Sequence, residues 1–221
     1  MKRNIIYFST ALSDKIYKNI VADCRKFKPT YSGVGFDWNV GVGLSEYATI
    51  FGVSLAPIPS WPKYRHIGCK AEKYSTGSFE GIVPSLLAIP VVKELCFYFS
   101  VKKHVNMNLV KGSNTVVVIS GLYRSLLRAA RYFKKRYGLK VFAIVPDLPE
   151  LMMTYRKDYS PIRKLLNRID AHNSVKYRSC IDGFVFLSRY MNEIVNTEEK
   201  AFAVVDGLCG IASFPENKVW S

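Results

Sequence analysis

The chain has 221 residues, of which 49% are hydrophobic, so a sizeable core is within reach of one large domain. Lys and Arg number 32 against 17 Asp and Glu, a formal charge of +15 that favours polyanionic partners and says nothing of fold. Five cysteines, an odd number with no CxxC spacing, argue against a disulfide framework and a zinc site and point to a reducing cytoplasm.

The start, MKRNIIYFSTALSDK, mimics a secretory signal. Its apolar part is too short, and Ser9, Thr10, Ser13 and Asp14 break it. Asn4–Ser9 reads as a first buried strand. YSGVGFDWNVGVG follows, with Gly33, Gly35, Gly41 and Gly43. These glycines lack the spacing of a dinucleotide loop and do not follow directly on a strand. The stretch reads as a mobile loop entering a helix over Asp37–Ile50, closed by Gly52. Trp38 and Asn39 offer a stacking face and an amide to a ligand under that loop; in the competing reading, Trp38 anchors its helix to the core. Gly52–Leu55 is a weaker strand, and Lys73–Val83 suggests edge strands.

Pro90–Val110 is a long helix containing LCFYF, Leu95 to Phe99. Five bulky groups in a row cover every side of a helix, so part of that surface packs under a neighbour or faces lipid. Thr115–Ser120 (TVVVIS) is a second strong strand. Leu122–Tyr137 is a helix closed by Gly138. At about 100° per residue, Arg124, Arg128, Arg131 and Lys135 fall on one narrow stripe, with Leu122, Leu126, Ala130, Phe133 and Tyr137 opposite. The stripe is either a solvated face or an anion-binding face for lipid headgroups or phosphates, which Lys102, Lys103, Lys134 and Arg136 would widen.

Lys140–Val145 (KVFAIV) is a third strand and runs into PDLP. Pro146 and Pro149 stiffen this loop, so Asp147 is either held over the sheet edge or caps a turn. Ser160–Arg178 opens with an N-cap and a proline, as a helix does. Gly183–Ser188 (GFVFLS), a short helix over Arg189–Val195 and a weak strand over Ala201–Val205 complete the alternation. Strands alternating with helices predict an α/β fold with a doubly wound, mostly parallel Rossmann-like sheet, whose ligands sit beyond the carboxyl ends of the strands. His66, His104 and His172 are scattered, and GxSxG, P-loop and HExxH are absent. The sequence thus gives no support to nucleophilic or metal chemistry.

The order FST, FDWNVGVGLSEYATIFGVSLAPIPSWP, IPVVKELCFYF, VFAIVPDLPELM, FVFLSRYMNEIVN and AFAVVDG resembles the N-terminal half of retaining GT-B glycosyltransferases of family four, especially bacterial enzymes of surface-polysaccharide assembly. The resemblance covers nearly all of residues 1–207 and rests on order and texture. It implies an acceptor-side domain over residues 1–205 and the start of an interdomain linker over 206–221. The donor-binding domain, with its glutamate pair and nucleotide-sugar pocket, is expected to lie outside this sequence, since such enzymes need about 350 residues or more. The chain alone is then expected to be inactive and to bind no cofactor of its own.

The resemblance also implies a cleft at the strand ends. Asp147 is the catalytic candidate, standing where many relatives hold a histidine. It would hydrogen-bond the donor sugar or orient the acceptor hydroxyl. Ser9, Thr10, Trp38, Asn39, Ser120, Pro149, Ser188 and Arg189 are the acceptor-binding candidates. Arg124, Arg128, Arg131, Lys135, Lys102 and Lys103 are candidates for a membrane or anion face. Expected partners are a saccharide acceptor, often lipid-linked, an anionic membrane surface at the cytoplasmic side, and a separate donor-domain subunit. A different class, a basic α/β module binding nucleic acid without catalysis, rests on charge alone, with no recognition helix, RNP-like strand or KH-type loop to support it.

Overall fold

A computed structural model of the protein describes residues 3–25, 28–77, 79–90, 92–105, 110, 114–148 and 176–205. The strands among the described residues are β1 (Arg3–Ser9), β2 (Ala48–Ser54), β3 (Gly68–Cys69), β4 (Glu72–Thr76), β5 (Phe79–Val83), β6 (Leu86–Leu87), β7 (Thr115–Ser120), β8 (Lys140–Val145), β9 (Gly183–Phe186) and β10 (Ala201–Val204). Helices α1 (Asp14–Ala22), α2 (Tyr31–Ser45), α3 (Val92–His104), α4 (Arg124–Tyr137) and α5 (Arg189–Val195) accompany them.

Eight strands form one sheet in the order β10-β9-β8-β7-β1-β2-β5-β4. Every neighbouring pair is parallel except β4–β5. β3 and β6 make a separate antiparallel pair. This is the α/β Rossmann-like arrangement that the alternation of strands and helices predicts. The central strands are apolar along their length because helices cover both faces of a parallel sheet. Ile6, Tyr7, Phe8, Ile50, Phe79, Ile119, Phe133 and Phe186 are fully buried in one continuous core. Gly138 ends α4 in the left-handed region, at φ 68°, and its N–H bonds the Lys134 carbonyl.

Several expectations need correction. Residues 31–36 are not a loop: the whole glycine-rich stretch is helical, and α2 begins six residues before Asp37, where the helix was expected to start. Single-residue propensity disfavours this, but close packing compensates. A side chain added at Gly41 would overlap the Phe79 ring, so α2 lies against β5 at a distance only glycine allows. The expected helix also ran too far, because Ala48–Ile50 belongs to β2, in register with Arg3–Ile5 of β1. The helix α1 was not foreseen, although Ser13 caps it and Ile16 and Ile20 give it a buried stripe. α3 is shorter than Pro90–Val110 at both ends.

LCFYF divides its surface. Phe97 is buried, Leu95, Cys96 and Tyr98 are partly buried, and Phe99 is 62% exposed. α3 packs along α4, which covers most of this run. Most of the expected Ser160–Arg178 helix, together with Pro149 and residues 206–221, lies outside the described residues. No helix among the described residues is long and apolar enough to cross a membrane.

The Gly41 contact gives a paired prediction. Gly41→Ala should destabilise the protein by about 1–3 kcal/mol in urea unfolding, because Phe79 is wedged among Tyr7, Trp38 and Tyr74 and cannot retreat. Gly43→Ala, which meets open space, should add up to about 1 kcal/mol through helix propensity. The reverse order would contradict the packing account.

Candidate functional site

The carboxyl ends of β1, β7, β8 and β9 open on a hollow of about 270 Å³. Thr10 follows β1, Ser120 ends β7 with Gly121 next, and Pro146 and Asp147 follow β8. Leu187 comes from the end of β9, and Ser32, Gly33, Phe36 and Asp37 come from α2. Tyr123, just ahead of α4, completes the wall. Gly121 makes the sharp exit from β7 at φ 80°, and its N–H bonds the Ile144 carbonyl of β8.

Asp37 is the floor of this hollow and is only 4% exposed. One carboxylate oxygen, Oδ2, accepts from the Thr10 N–H and the Thr10 hydroxyl, each at 2.6 Å. The other, Oδ1, accepts from the Ser120 hydroxyl. The Asp37 backbone carbonyl accepts from the Tyr7 hydroxyl at 3.1 Å. One residue of α2 thus ties together the ends of two central strands. Burial raises the Asp37 pKa from its usual value, and the donors from Ser120 and Thr10 offset only part of that. Burial, then the Asp37 and Asp147 charges, push the Tyr123 hydroxyl up to about 12, so it stays protonated.

These bonds set the polarity of the hollow. The Thr10 and Ser120 hydroxyls spend their protons on Asp37, so only their lone pairs remain for a ligand. Among the described residues the lining holds two aspartates and not one Lys, Arg or His, in a chain of +15. Such a wall suits a ligand that donates hydrogen bonds and opposes a phosphate.

Thr10, Ser120 and Asp147 meet at this hollow, and Asp147 is exposed at its rim. Ser9 is fully buried, and its hydroxyl accepts from the Ala11 N–H at 3.1 Å. Trp38 turns away and packs on Tyr74 and Phe79 at 5.5 and 5.3 Å, as a helix anchor does. Asn39 is exposed on α2 outside the lining. Ser188 stands at the N-cap of α5 and Arg189 is exposed; Leu187, one residue earlier, is what reaches the hollow. Asp37, Phe36 and Tyr123 are lining residues that the sequence reading missed. One signal was present: Asp37 is the only acid between Asp23 and Glu46.

The cationic stripe lies elsewhere. Arg124 pairs with Glu94 at 3.6 Å. Arg128 lies over the Tyr98 ring at 4.6 Å and Arg131 over Tyr177 at 5.2 Å. Lys102 sits 4.6 and 4.3 Å from the Tyr98 and Tyr132 rings. Lys103 and Lys135 are exposed, and Lys134 turns instead to Asp182 at 2.7 Å. A larger hollow, of about 730 Å³, lies between α1 and the β3–β6 pair. Its His66 and Asp23 face each other at 3.3 Å, and of its lining only Val83, at the end of β5, lies at the carboxyl end of a parallel strand.

No protein-family model matches the sequence, and no curated protein does. Among solved structures, a sucrose-phosphate synthase from Thermosynechococcus elongatus is similar in fold, with a TM-score of 0.51 at 7% identity. The match covers 92% of this chain and 47% of that one, so the chain spans about half the length of that protein. At such identity the likeness shows the Rossmann-like fold alone.

The burial of Asp37 carries a pH prediction. Its folded pKa lies above the unfolded value of about 3.9, so its contribution to stability is fully present below that value and is lost as pH rises through the raised folded one. Asp37→Asn lacks this component. In matched urea titrations the destabilisation caused by Asp37→Asn should therefore shrink from pH 4 to pH 8. A gap that widens with pH would show that Asp37 gains from ionisation, against the burial account.

Proposed function

We propose that this chain is the acceptor-side half of a glycosyl-transfer enzyme, and that the strand-end hollow receives the hydroxyl face of a neutral saccharide. The observation that carries the reading is the acceptor-rich, cation-free wall built on Asp37. A saccharide presents many hydroxyl donors, which such a wall satisfies. A nucleotide presents phosphates, which two aspartates repel. The name of the similar structure, a sucrose-phosphate synthase, agrees with sugar chemistry on this fold.

In this reading the nucleotide-sugar donor binds a second Rossmann-like domain facing the same strand ends, supplied by a further segment or a separate subunit. The acceptor is a lipid-linked saccharide of surface-polysaccharide assembly, met at the cytoplasmic face of a membrane. The acceptor hydroxyl donates to the Asp147 carboxylate at the rim, which turns an oxygen lone pair toward the sugar carbon. The bond from that carbon to the donor phosphate breaks as the new glycosidic bond forms. The hydroxyl proton passes to the departing phosphate oxygen, and a nucleoside diphosphate leaves. Thr10 and Ser120 accept from neighbouring hydroxyls and hold the ring in place. The protonated Tyr123 hydroxyl can both donate and accept there.

The test is titration of isotopically labelled protein with glucose, galactose, N-acetylglucosamine and their disaccharides at millimolar concentrations. At least one should shift the amides of Gly33 and Gly121, and uridine diphosphate alone should not. Asp147→Asn should weaken binding of that saccharide about 10-fold and leave the unfolding free energy within about 0.5 kcal/mol of the parent, because Asp147 is exposed. Shifts caused by uridine diphosphate, with none from any saccharide, would contradict the reading.

A further inference from the structure

The outer face of α4 and the adjoining face of α3 form a groove of about 400 Å³. Its lining is three tyrosines, Tyr98, Tyr132 and Tyr177, and four cations, Arg128, Arg131, Lys135 and Arg136. Lys102 joins them over the Tyr98 and Tyr132 rings. The groove shares no lining residue with the strand-end hollow.

Two features separate it from an ordinary solvated face. First, the cations rest on rings. Arg128 and Arg131 are half-buried, each held against a tyrosine face at 4.6 and 5.2 Å. Such stacking fixes the guanidinium plane and lowers the entropy lost when it engages an anion. Second, the neighbouring cations already have carboxylates and these do not. Glu94 takes Arg124, and Asp182 takes Lys134. Among the described residues no carboxylate ion-pairs with Lys102, Arg128, Arg131, Lys135 or Arg136. Five positive groups thus converge on one groove with no ion-paired carboxylate among the described residues. Fixed guanidinium forks beside tyrosine hydroxyls match the tetrahedral oxygens of a phosphate group, each oxygen taking a charge-assisted hydrogen bond.

We propose that this groove is a binding site for a phosphate-bearing ligand, a diphosphate or a phosphodiester, presented free in solution or as the headgroup of an anionic lipid. The site stands whether or not the strand-end hollow takes a saccharide. It gives the chain two chemically opposite sites, a proton-accepting one at the sheet edge and a cationic one on the helical layer.

The experiment has two arms, each run on the whole chain. Inorganic pyrophosphate is titrated by calorimetry at low salt, and sedimentation is measured with phosphatidylglycerol and with phosphatidylcholine vesicles. Binding is expected in at least one arm. Pyrophosphate binding assigns a soluble ligand, and binding to phosphatidylglycerol alone assigns a headgroup. The double variant Arg128→Gln/Arg131→Gln should weaken it at least about 10-fold, and 0.5 M salt should weaken it further. Because those two arginines pack on tyrosines, Lys135→Gln/Arg136→Gln, at exposed positions, serves as a second variant that leaves the packing intact and should also weaken binding. Absence of binding in both arms, or binding that neither variant reduces, overturns the proposal. Duplex DNA binding with the same arginine dependence, and no binding in either arm, overturns it in favour of nucleic acid.

Discussion

A single buried carboxylate organises the working edge of this protein. Asp37 gathers three hydrogen bonds, two from Thr10 and one from Ser120, and so joins the ends of β1 and β7 through a helix that neither strand follows directly. Leaving such a group buried without partners would cost several kcal/mol, so the carboxylate and its donors must form as a set. The set depends in turn on α2 lying close to the sheet, which Gly41 permits by meeting the Phe79 ring with no side chain of its own. Packing at Gly41 therefore decides polarity one turn away, at Asp37.

The strands β1, β7, β8 and β9 were legible in the sequence because each is a short apolar run bounded by polar residues, the mark of a strand covered on both faces. From their order came the sheet edge, and from the edge came Thr10, Ser120 and Asp147. The first six residues of α2 were not legible as helix. Four glycines within eleven residues speak against a helix locally, and only contact with β5, remote in sequence, makes one. With residues 31–36 read as a loop, Phe36 and Asp37 at its junction have no defined direction, and Trp38 can be assigned either to a ligand or to the core, where it packs on Tyr74 and Phe79. The same holds for β2, where Thr49 and Ile50 suit a helix end until β1 is beside them.

The cationic stripe shows a different limit. Helical periodicity placed Arg128 and Arg131 on one face correctly. Its partners, Tyr98 and Tyr177, stand 30 and 46 residues away in the chain, so seating on aromatic rings was invisible until the helices were packed. The outcome is a segregation of charge. Among the described residues, a strongly basic chain gathers four cations in the α3–α4 groove and places carboxylates and hydroxyls, with no Lys, Arg or His, in the lining of the strand-end hollow. Two ligands of opposite polarity can then be held by one domain without competing.

The orientation of the two hydroxyls is the point from which the polarity argument follows, and it is directly measurable. Proton NMR of the whole chain should find the Thr10 and Ser120 hydroxyl protons far downfield, exchanging slowly with water, and each close to the Asp37 β-protons. That result would place both protons on the carboxylate and both lone pairs toward the hollow. Fast exchange of either hydroxyl, with no contact to Asp37, would mean that the wall can donate as well as accept, and the account of what this edge recognises would not stand.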